Sequence, residues 1–368
     1  MRALVRPLLD WFGANARDLP WRRTGDPYAI WISEIMLQQT QVKTVAPYWQ
    51  RWMRAFPNVR SLARARPDRV LKLWEGLGYY SRARNLQTAA QRIVREADGR
   101  FPDKFEEVLA LPGIGRYTAG AICSIAFNQP TPVLDGNVIR VLTRIFGIGD
   151  NPREKRTAAK LWGLAERAVR EAAPLGRCSQ LNQSLMELGA LLCTPREPGC
   201  TLCPVQSHCA AFRLKRTDRL PNLGKRVGAT RRRFAAFLVA RQGRFLVRQR
   251  PSGGVNGRLW EFPNVEVDGG QPDEWRLGEI VPGLRPVSIR PLHQVRHTIT
   301  RYRITLDVFG VEFANGPSPL VSIRQRRWCS LAELEKLAFP SAHRNIVNWL
   351  RAGGYGCLEE PHGAFPSR

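Results

Sequence analysis

Glu34 is the lone carboxylate in the run Trp31-Ile32-Ser33-Glu34-Ile35-Met36-Leu37-Gln38-Gln39-Thr40-Gln41-Val42. Its neighbours are apolar or neutral, so the carboxyl is expected out of water with a raised pKa, the condition for a general acid. Taken by itself it would be a helix-surface glutamate capped by Ser33. A second carboxylate lies in Val133-Leu134-Asp135-Gly136-Asn137-Val138-Ile139-Arg140-Val141. Asp135 precedes a predicted helix that Asn137 could cap, which puts the charge at the positive helix end and keeps it ionised at neutral pH. Alone, it would be a plain helix cap. Upstream, Leu111-Pro112-Gly113-Ile114-Gly115 joins two helical patterns. Its two glycines allow positive φ and close approach, so backbone N–H groups can face a phosphate. Cys193, Cys200, Cys203 and Cys209 form a C-x6-C-x2-C-x5-C run. Such thiols can converge on a soft cation or an iron–sulfur cluster, and spacing alone leaves zinc and a cluster both open. Cys123, Cys178, Cys329 and Cys357 read as core or surface thiols.

These residues need scaffolding of two kinds. From Leu4 to about Phe212, apolar residues recur at three and four spacings, in blocks that include Ile30–Val45, Tyr48–Phe56, Thr118–Phe127, Val138–Phe146 and Leu181–Leu192. That predicts a compact all-α domain of roughly nine or ten helices. After it the period changes. Phe234–Ala240 and Phe245–Gln249 flank a turn as a hairpin, Arg301–Phe309 alternates, and an amphipathic helix runs from about Leu331 or Ser341 to Leu350. The expected domains are 1–212, a basic connector 213–232, 233–352 and a tail 353–368. No internal repeat is visible.

Charge narrows the partner. The chain of 368 residues carries 57 Lys+Arg against 31 Asp+Glu, a net +26, and an excess of this size commonly meets a polyanion. It is concentrated around the connector, where Arg231, Arg232 and Arg233 are expected to form part of a strap on the nucleic-acid backbone. No apolar run approaches a membrane span, and the N-terminus reads as a first helix and not as a signal peptide. A cytoplasmic, nucleoid-associated protein is expected.

The cysteine spacing, the LPGIG hairpin and the LDGNV stretch together resemble the endonuclease III superfamily of helix-hairpin-helix DNA glycosylases, over residues of about 10–210. Within it, WxSExMLQQTQV is similar to the MutY-type adenine DNA glycosylases. The resemblance implies a structural [4Fe–4S] cluster on Cys193, Cys200, Cys203 and Cys209 in a loop at 193–209. It implies that Glu34 protonates adenine and helps position water, that Asp135 stabilises the sugar cation or a covalent sugar species, and that Asn137 and Tyr117 assist. Bifunctional relatives carry a lysine at the position of Tyr117, and a phenol cannot form an imine, so a monofunctional enzyme is implied. Adenine-pocket positions map onto Arg17, Leu19, Trp21, Arg22 and Gln183. Tyr79 and Gln39 match a wedge pair inserted beside the damaged guanine; Leu111, Gly113 and Gly115 match the DNA-facing hairpin.

Residues 234–350 resemble the C-terminal, Nudix-like domain of the same family, through FLVARQGRFLVRQRP, Gly257-Arg258-Leu259-Trp260-Glu261-Phe262-Pro263 and Arg296-His297-Thr298. Residues 266–280 lack the REUxEExGU metal-binding pattern of a Nudix hydrolase. Where the family has Phe-Ser-His, this chain has Ile299-Thr300-Arg301; Thr300 and Arg301 are expected at DNA, with reduced selectivity. The fold expected is thus α+β multidomain. An all-α helix-hairpin-helix glycosylase domain precedes a Nudix-like α/β domain. The expected function is monofunctional excision of adenine opposite 8-oxoguanine or guanine from double-stranded DNA, by a monomer without membrane attachment. Competing readings are a thymine or uracil mismatch glycosylase on the same scaffold and a non-catalytic mismatch-binding protein.

Overall fold

The computed structural model describes residues 1–225, 228–267, 286–299, 301–313 and 326–354. Thr300, Cys357, the tail from 355 and most of 266–280 lie outside the described residues. Two compact units form: Met1–Ala65 with Asn85–Arg226, and Arg66–Arg84 with Val227–Arg368.

The chain up to residue 213 is helical: α1 (Arg2–Asn15), α2 (Pro27–Leu37), α3 (Val42–Ala55), α4 (Val59–Arg64), α5 (Pro67–Trp74), α6 (Ser81–Ala97), α7 (Phe105–Leu109), α8 (Arg116–Phe127), α9 (Gly136–Ile145), α10 (Lys155–Ala172), α11 (Cys178–Leu191) and α12 (Ala210–Arg213). No described helix is long and apolar enough to cross a membrane. At the start of α2, Pro27 sits in the first turn and Asp26 accepts from the Tyr28 N–H at 3.0 Å. Every residue from Tyr28 to Met36 is buried, so α2 is enclosed on all sides. The single block expected over Ile30–Val45 is two helices. Gln39 turns the chain at φ 60 within the polar stretch Gln38–Gln41, and α3 starts afresh at Val42.

Close approach places the Asp135 loop. A Cβ added at Gly120 of α8 would lie 2.2 Å from the Pro132 carbonyl oxygen, and one at Gly189 of α11 would lie 2.6 Å from Asn137 Cβ. The strand-like approach to α9 is therefore pinned between two helices with no space for a methyl group. Thr131 donates to the Gly120 carbonyl at 2.9 Å, and Asn182 donates to Thr131 O at 2.8 Å. Below this loop, Val138, Val141 and Leu142 join Leu161, Leu164, Leu181, Leu185 and Leu188 in one core.

The second unit holds a sheet ordered β3-β2-β1-β6-β5, with β4 on β1 and β7 on β2. Its strands are β1 (Thr230–Arg241), β2 (Arg244–Gln249), β3 (Trp260–Glu261), β4 (Asn264–Glu266), β5 (Pro286–Ile299), β6 (Tyr302–Phe313) and β7 (Arg326–Ser330). β1 runs parallel to β6 from Thr230↔Tyr302 to Val239↔Val311. Its side chains divide by the two-residue period. Ala236 and Leu238 face a core with Leu334, Ile346 and Val347, whereas Ala235, Phe237 and Val239 face Leu246, Phe309 and Trp328. The terminal helix expected from Leu331 or Ser341 is two, Leu331–Lys336 and Ser341–Arg351, separated at Pro340.

One expectation is corrected here. Arg231, Arg232 and Arg233 belong to β1 and not to a connector. Arg232 pairs with Glu266, and Arg233 pairs with Asp307 at 2.5 Å. A basic run followed by an apolar one is compatible with a strand whose exposed end is neutralised by acids on adjacent strands, and the strand pairing decides.

Alanine normally stabilises a helix relative to glycine by about 1 kcal/mol. Gly120→Ala should instead destabilise the protein by about 1–3 kcal/mol, because the obstacle is a backbone carbonyl. Gly163→Ala in α10, where nothing lies within 4 Å, should be neutral or stabilising. Thermal melts of the two variants against wild type test the difference in sign.

Candidate active site

One pocket of the first unit gathers Glu34, Tyr117, Asp135 and Asn137 with Arg17, Leu19, Trp21, Arg22, Gln183, Gln39 and Gly115. These come from the α1–α2 connection, α2, the α2–α3 turn, the start of α8, the start of α9 and α11. Among the described residues lining the pocket there is no lysine.

The two carboxyls differ in the support given to a charge. Glu34, on enclosed α2, is 5% exposed. Burial pushes its pKa up to about 7, Asp135 nearby adds to the rise, and the Tyr117 hydroxyl, donating at 2.7 Å, opposes it. The same burial raises Tyr117 well above a usual phenol, so it stays a donor. Asp135 is itself the cap of α9, accepting from the Val138 N–H at 2.7 Å and from Asn137 Nδ2 at 3.0 Å. That corrects the expected cap: Asn137 lies inside the helix and serves the carboxylate. Burial still leaves the Asp135 pKa raised, with the two donors pulling against it. The pair therefore places a proton on Glu34, which has one neutral donor, and the charge on Asp135, which has two donors and a helix N-terminus.

Arg17 and Arg22, expected as adenine contacts, spend their guanidinium groups on Glu187. Its carboxylate accepts from Arg17 Nε at 2.8 Å, Arg17 Nη2 at 2.6 Å, and Arg22 Nη1 and Nη2 at 3.0 and 2.9 Å. Burial alone would raise the Glu187 pKa, but these arginines outweigh it and hold it at about 2. Arg22 Nε also reaches the Gln183 side-chain oxygen at 3.1 Å, and Gln183 Nε2 donates to Ser179. Sequence reasoning missed Glu187. The signal was available, because it stands four residues after Gln183 on α11 and must share its face.

The hairpin glycines differ. Gly113 has φ 79, and a Cβ there would meet Asn85 Cβ at 2.6 Å. Gly115 is extended (φ −101) and caps α8, with open space around it, so the expected positive φ holds at one glycine and the open backbone at the other. Leu111, expected at DNA, is buried and packs inward; its carbonyl accepts from the Ile114 N–H at 3.1 Å and closes the turn. Tyr79 belongs to the second unit and is 42% exposed at φ 44, whereas Tyr80 is buried. Arg301, also in the second unit, is exposed and donates to the Tyr302 hydroxyl at 3.1 Å.

All four expected thiols, Cys193, Cys200, Cys203 and Cys209, line a separate pocket with Arg144. Burial pushes the Cys200, Cys203 and Cys209 thiols up, Cys203 to about 11, and the neighbouring sulfurs add to the effect. Among the described residues no group of three or more His, Cys, Asp or Glu side chains is placed to hold a metal ion. Arg144 donates to Cys193 Sγ at 3.3 Å and to Thr194 O at 2.7 Å. Arg140 links this loop to the acid pocket, bonding Cys193 O at 2.7 Å and Asn137 Oδ1 at 2.8 Å.

Residues 32–167 match the family model of the HhH-GPD superfamily base excision DNA repair proteins, and residues 235–349 match that of the NUDIX domain. A thermostable thymine-DNA glycosylase of known structure aligns with TM-score 0.53 and 30% identity, covering 58% of this chain and 96% of its own. The helical unit is accordingly that of a DNA glycosylase. The adenine DNA glycosylase of Rattus norvegicus is 36% identical, covering 94% of this chain and 77% of the relative. The one of Homo sapiens is also 36% identical, covering 92% and 72%. The chain belongs to the adenine DNA glycosylase family.

Glu34 gives this site a stability signature. The folded state holds its proton up to about 7, against 4.5 ordinarily. Below the lower value both states are protonated; as pH rises, the unfolded chain loses its proton first and stability falls until the folded carboxyl ionises too. Glu34→Gln stays neutral throughout, so it should be more stable than wild type by about 1–3 kcal/mol at about pH 8 and nearly equal at about pH 4.5. Melts at the two pH values test this; equal Tm values at the higher pH would mean a well-solvated carboxylate.

Proposed function

We propose that this enzyme excises adenine mispaired with 8-oxoguanine or guanine in duplex DNA and leaves an abasic site with the strand intact. The carrying observation is the buried Glu34 carboxyl, pushed up to about 7 in the same pocket as the capped Asp135 carboxylate. Adenine is flipped into the pocket. Glu34 donates its proton to adenine N7, the C1′–N9 bond breaks, and its electron pair leaves with the base. The Asp135 carboxylate, held by Val138 N–H and Asn137, stabilises the cationic sugar. Water then adds to C1′ and returns a proton to Glu34. Tyr117 keeps Glu34 oriented and cannot form a Schiff base, and the lack of a lysine among the described lining residues supports a monofunctional course.

Adenine is favoured over thymine or uracil because the thymine-DNA glycosylase aligns with 58% of the chain, while adenine glycosylases match more than 90% of it, sheet unit included. A binding-only role leaves the buried Glu34 and the half-buried Asp135 without purpose. Tyr79 is read as the residue that fills the gap beside the opposite base. Exposed Ile299 and Arg301 in place of an aromatic and a histidine support weaker discrimination of 8-oxoguanine from guanine.

The four cysteines fit a [4Fe–4S] cluster: they line one pocket, and burial disfavours the free thiolates of Cys200, Cys203 and Cys209, which a cationic cluster would stabilise. When bound it would supply a structural cross-link of residues 193–209. Arg144 would hold Cys193, and Arg140 would carry the loop's position to Asn137.

Under single turnover, adenine release should fall as pH rises above about 7, and Glu34→Gln should slow it by about 100-fold or more. Strand breaks should appear only after alkali. Undiminished release by Glu34→Gln would exclude the acid role. Cys203→Ser should lose iron, sulfide and the absorption band in the visible violet; a colourless zinc-containing wild type would exclude the cluster.

A further inference from the structure

Tyr79 stands on a short loop that two sets of hydrogen bonds control. The first lies within the loop. Gly76 and Gly78 have φ 101 and 70, and Tyr79, which is not glycine, has φ 44. A residue held in the left-handed region persists only where its surroundings over-determine it. Here Trp74 Nε1 donates to Gly78 O at 3.0 Å, and Arg82 Nη2 donates to Leu77 O at 2.9 Å. The Arg82 guanidinium lies 5.8 Å from the Tyr79 ring centre.

The second set ties the loop to the core of the sheet unit. Glu75 precedes the loop and is largely buried; its Oε1 accepts from the Phe339 N–H and from Arg344 Nε, both at 2.8 Å. Glu75 Oε2 accepts from Lys72 at 2.6 Å, and Lys72 donates also to Leu337 O at 3.0 Å. Tyr80, which follows Tyr79, donates its hydroxyl to Phe339 O at 3.0 Å. Both ends of the loop thus bond the same short stretch, Leu337–Phe339. That stretch is itself fixed: Phe339 is fully buried and stacks on Phe262, and Ala338 O accepts from the Trp260 N–H at 2.9 Å.

We propose that Glu75 is a positioning residue that, with Tyr80, sets where Tyr79 stands relative to the sheet core, so that efficient base extrusion depends on a carboxylate that never reaches DNA. This rests on the reading of Tyr79 as the gap-filling residue. A residue that only stabilised the fold would lower the amount of native protein, and its loss would combine independently with the loss of the Tyr79 ring. A residue acting through Tyr79 has nothing left to position once that ring is removed.

The experiment is a double-mutant cycle on single-turnover adenine release from a duplex containing A opposite 8-oxoguanine, using the full chain at saturating enzyme. Glu75→Ala should slow release about tenfold, Glu75→Gln, which keeps the acceptor oxygen, should recover part of that loss, and Glu75→Ala in a Tyr79→Ala background should add nothing further. Tyr80→Phe removes one hydroxyl without leaving a buried charge, so it covers the case in which Glu75→Ala fails to fold. It should slow release about threefold and be equally silent without the Tyr79 ring. Rates that multiply across the cycle, or native-like rates in both Glu75→Ala and Tyr80→Phe, would overturn the proposal. If Tyr79→Ala alone leaves release unchanged, the underlying role of Tyr79 fails instead.

Discussion

Glu34 and Asp135 line one pocket, and the site depends on giving the two carboxyls different fates. Two like charges close together at low dielectric raise one another's pKa, and the difference between them comes from the donors each is offered. Asp135 receives a backbone N–H, an asparagine amide and the positive end of α9. Glu34 receives a single phenol. An acid and a carboxylate, the two species needed to break a glycosidic bond by protonation and cation stabilisation, therefore coexist near neutral pH.

The scaffold can be read as the means of holding that asymmetry. α2 is buried from Tyr28 to Met36, so Glu34 is presented to the pocket from a helix that packing holds in place. The Asp135 loop is fixed from two directions by helices that approach through Gly120 and Gly189. Glu187 presents a third charge to the same pocket, yet it is silenced by Arg17 and Arg22 and stays ionised. Its burial next to paired guanidiniums gives the far wall a fixed shape and keeps its negative charge from raising Glu34 further. Stability lost by burying an unpaired acid at Glu34 is thus confined to one residue, while the other buried acids are compensated.

Much of this was legible in the sequence, and the limits are physical. The helical period, the punctuating turns and the apolar run around Glu34 are local, and they located α2, α8, α9 and α11 and the burial of the acid. The cap of α9 was misplaced by two residues because aspartate and asparagine have similar cap preference, and only the Val138 N–H geometry separates them. The pairing of Arg17 and Arg22 with Glu187 could not be read locally, since those partners are separated by more than 160 positions. The same holds for the segment 66–84, whose helix-like pattern says nothing of the compact unit it joins.

The charge excess follows the same rule. The acids of the sheet unit are used by arginines of the basic stretch: Glu266 by Arg232, Asp307 by Arg233, Glu333 by Arg244, and Glu261 by both Arg248 and Arg250. Those arginines contribute to strand registration and to a buried cluster, and their charge is largely compensated on site. Ahead of β1, Lys215, Arg216 and Arg219 make no ion pair among the described residues and lie where the chain has left its helices. An unpaired cation exchanges its counterions for a phosphate without first breaking a protein contact, whereas a paired one must. Within the basic stretch, then, the cations without a protein partner precede the sheet, whereas Arg232 and Arg233 at its threshold join β1 to its neighbours.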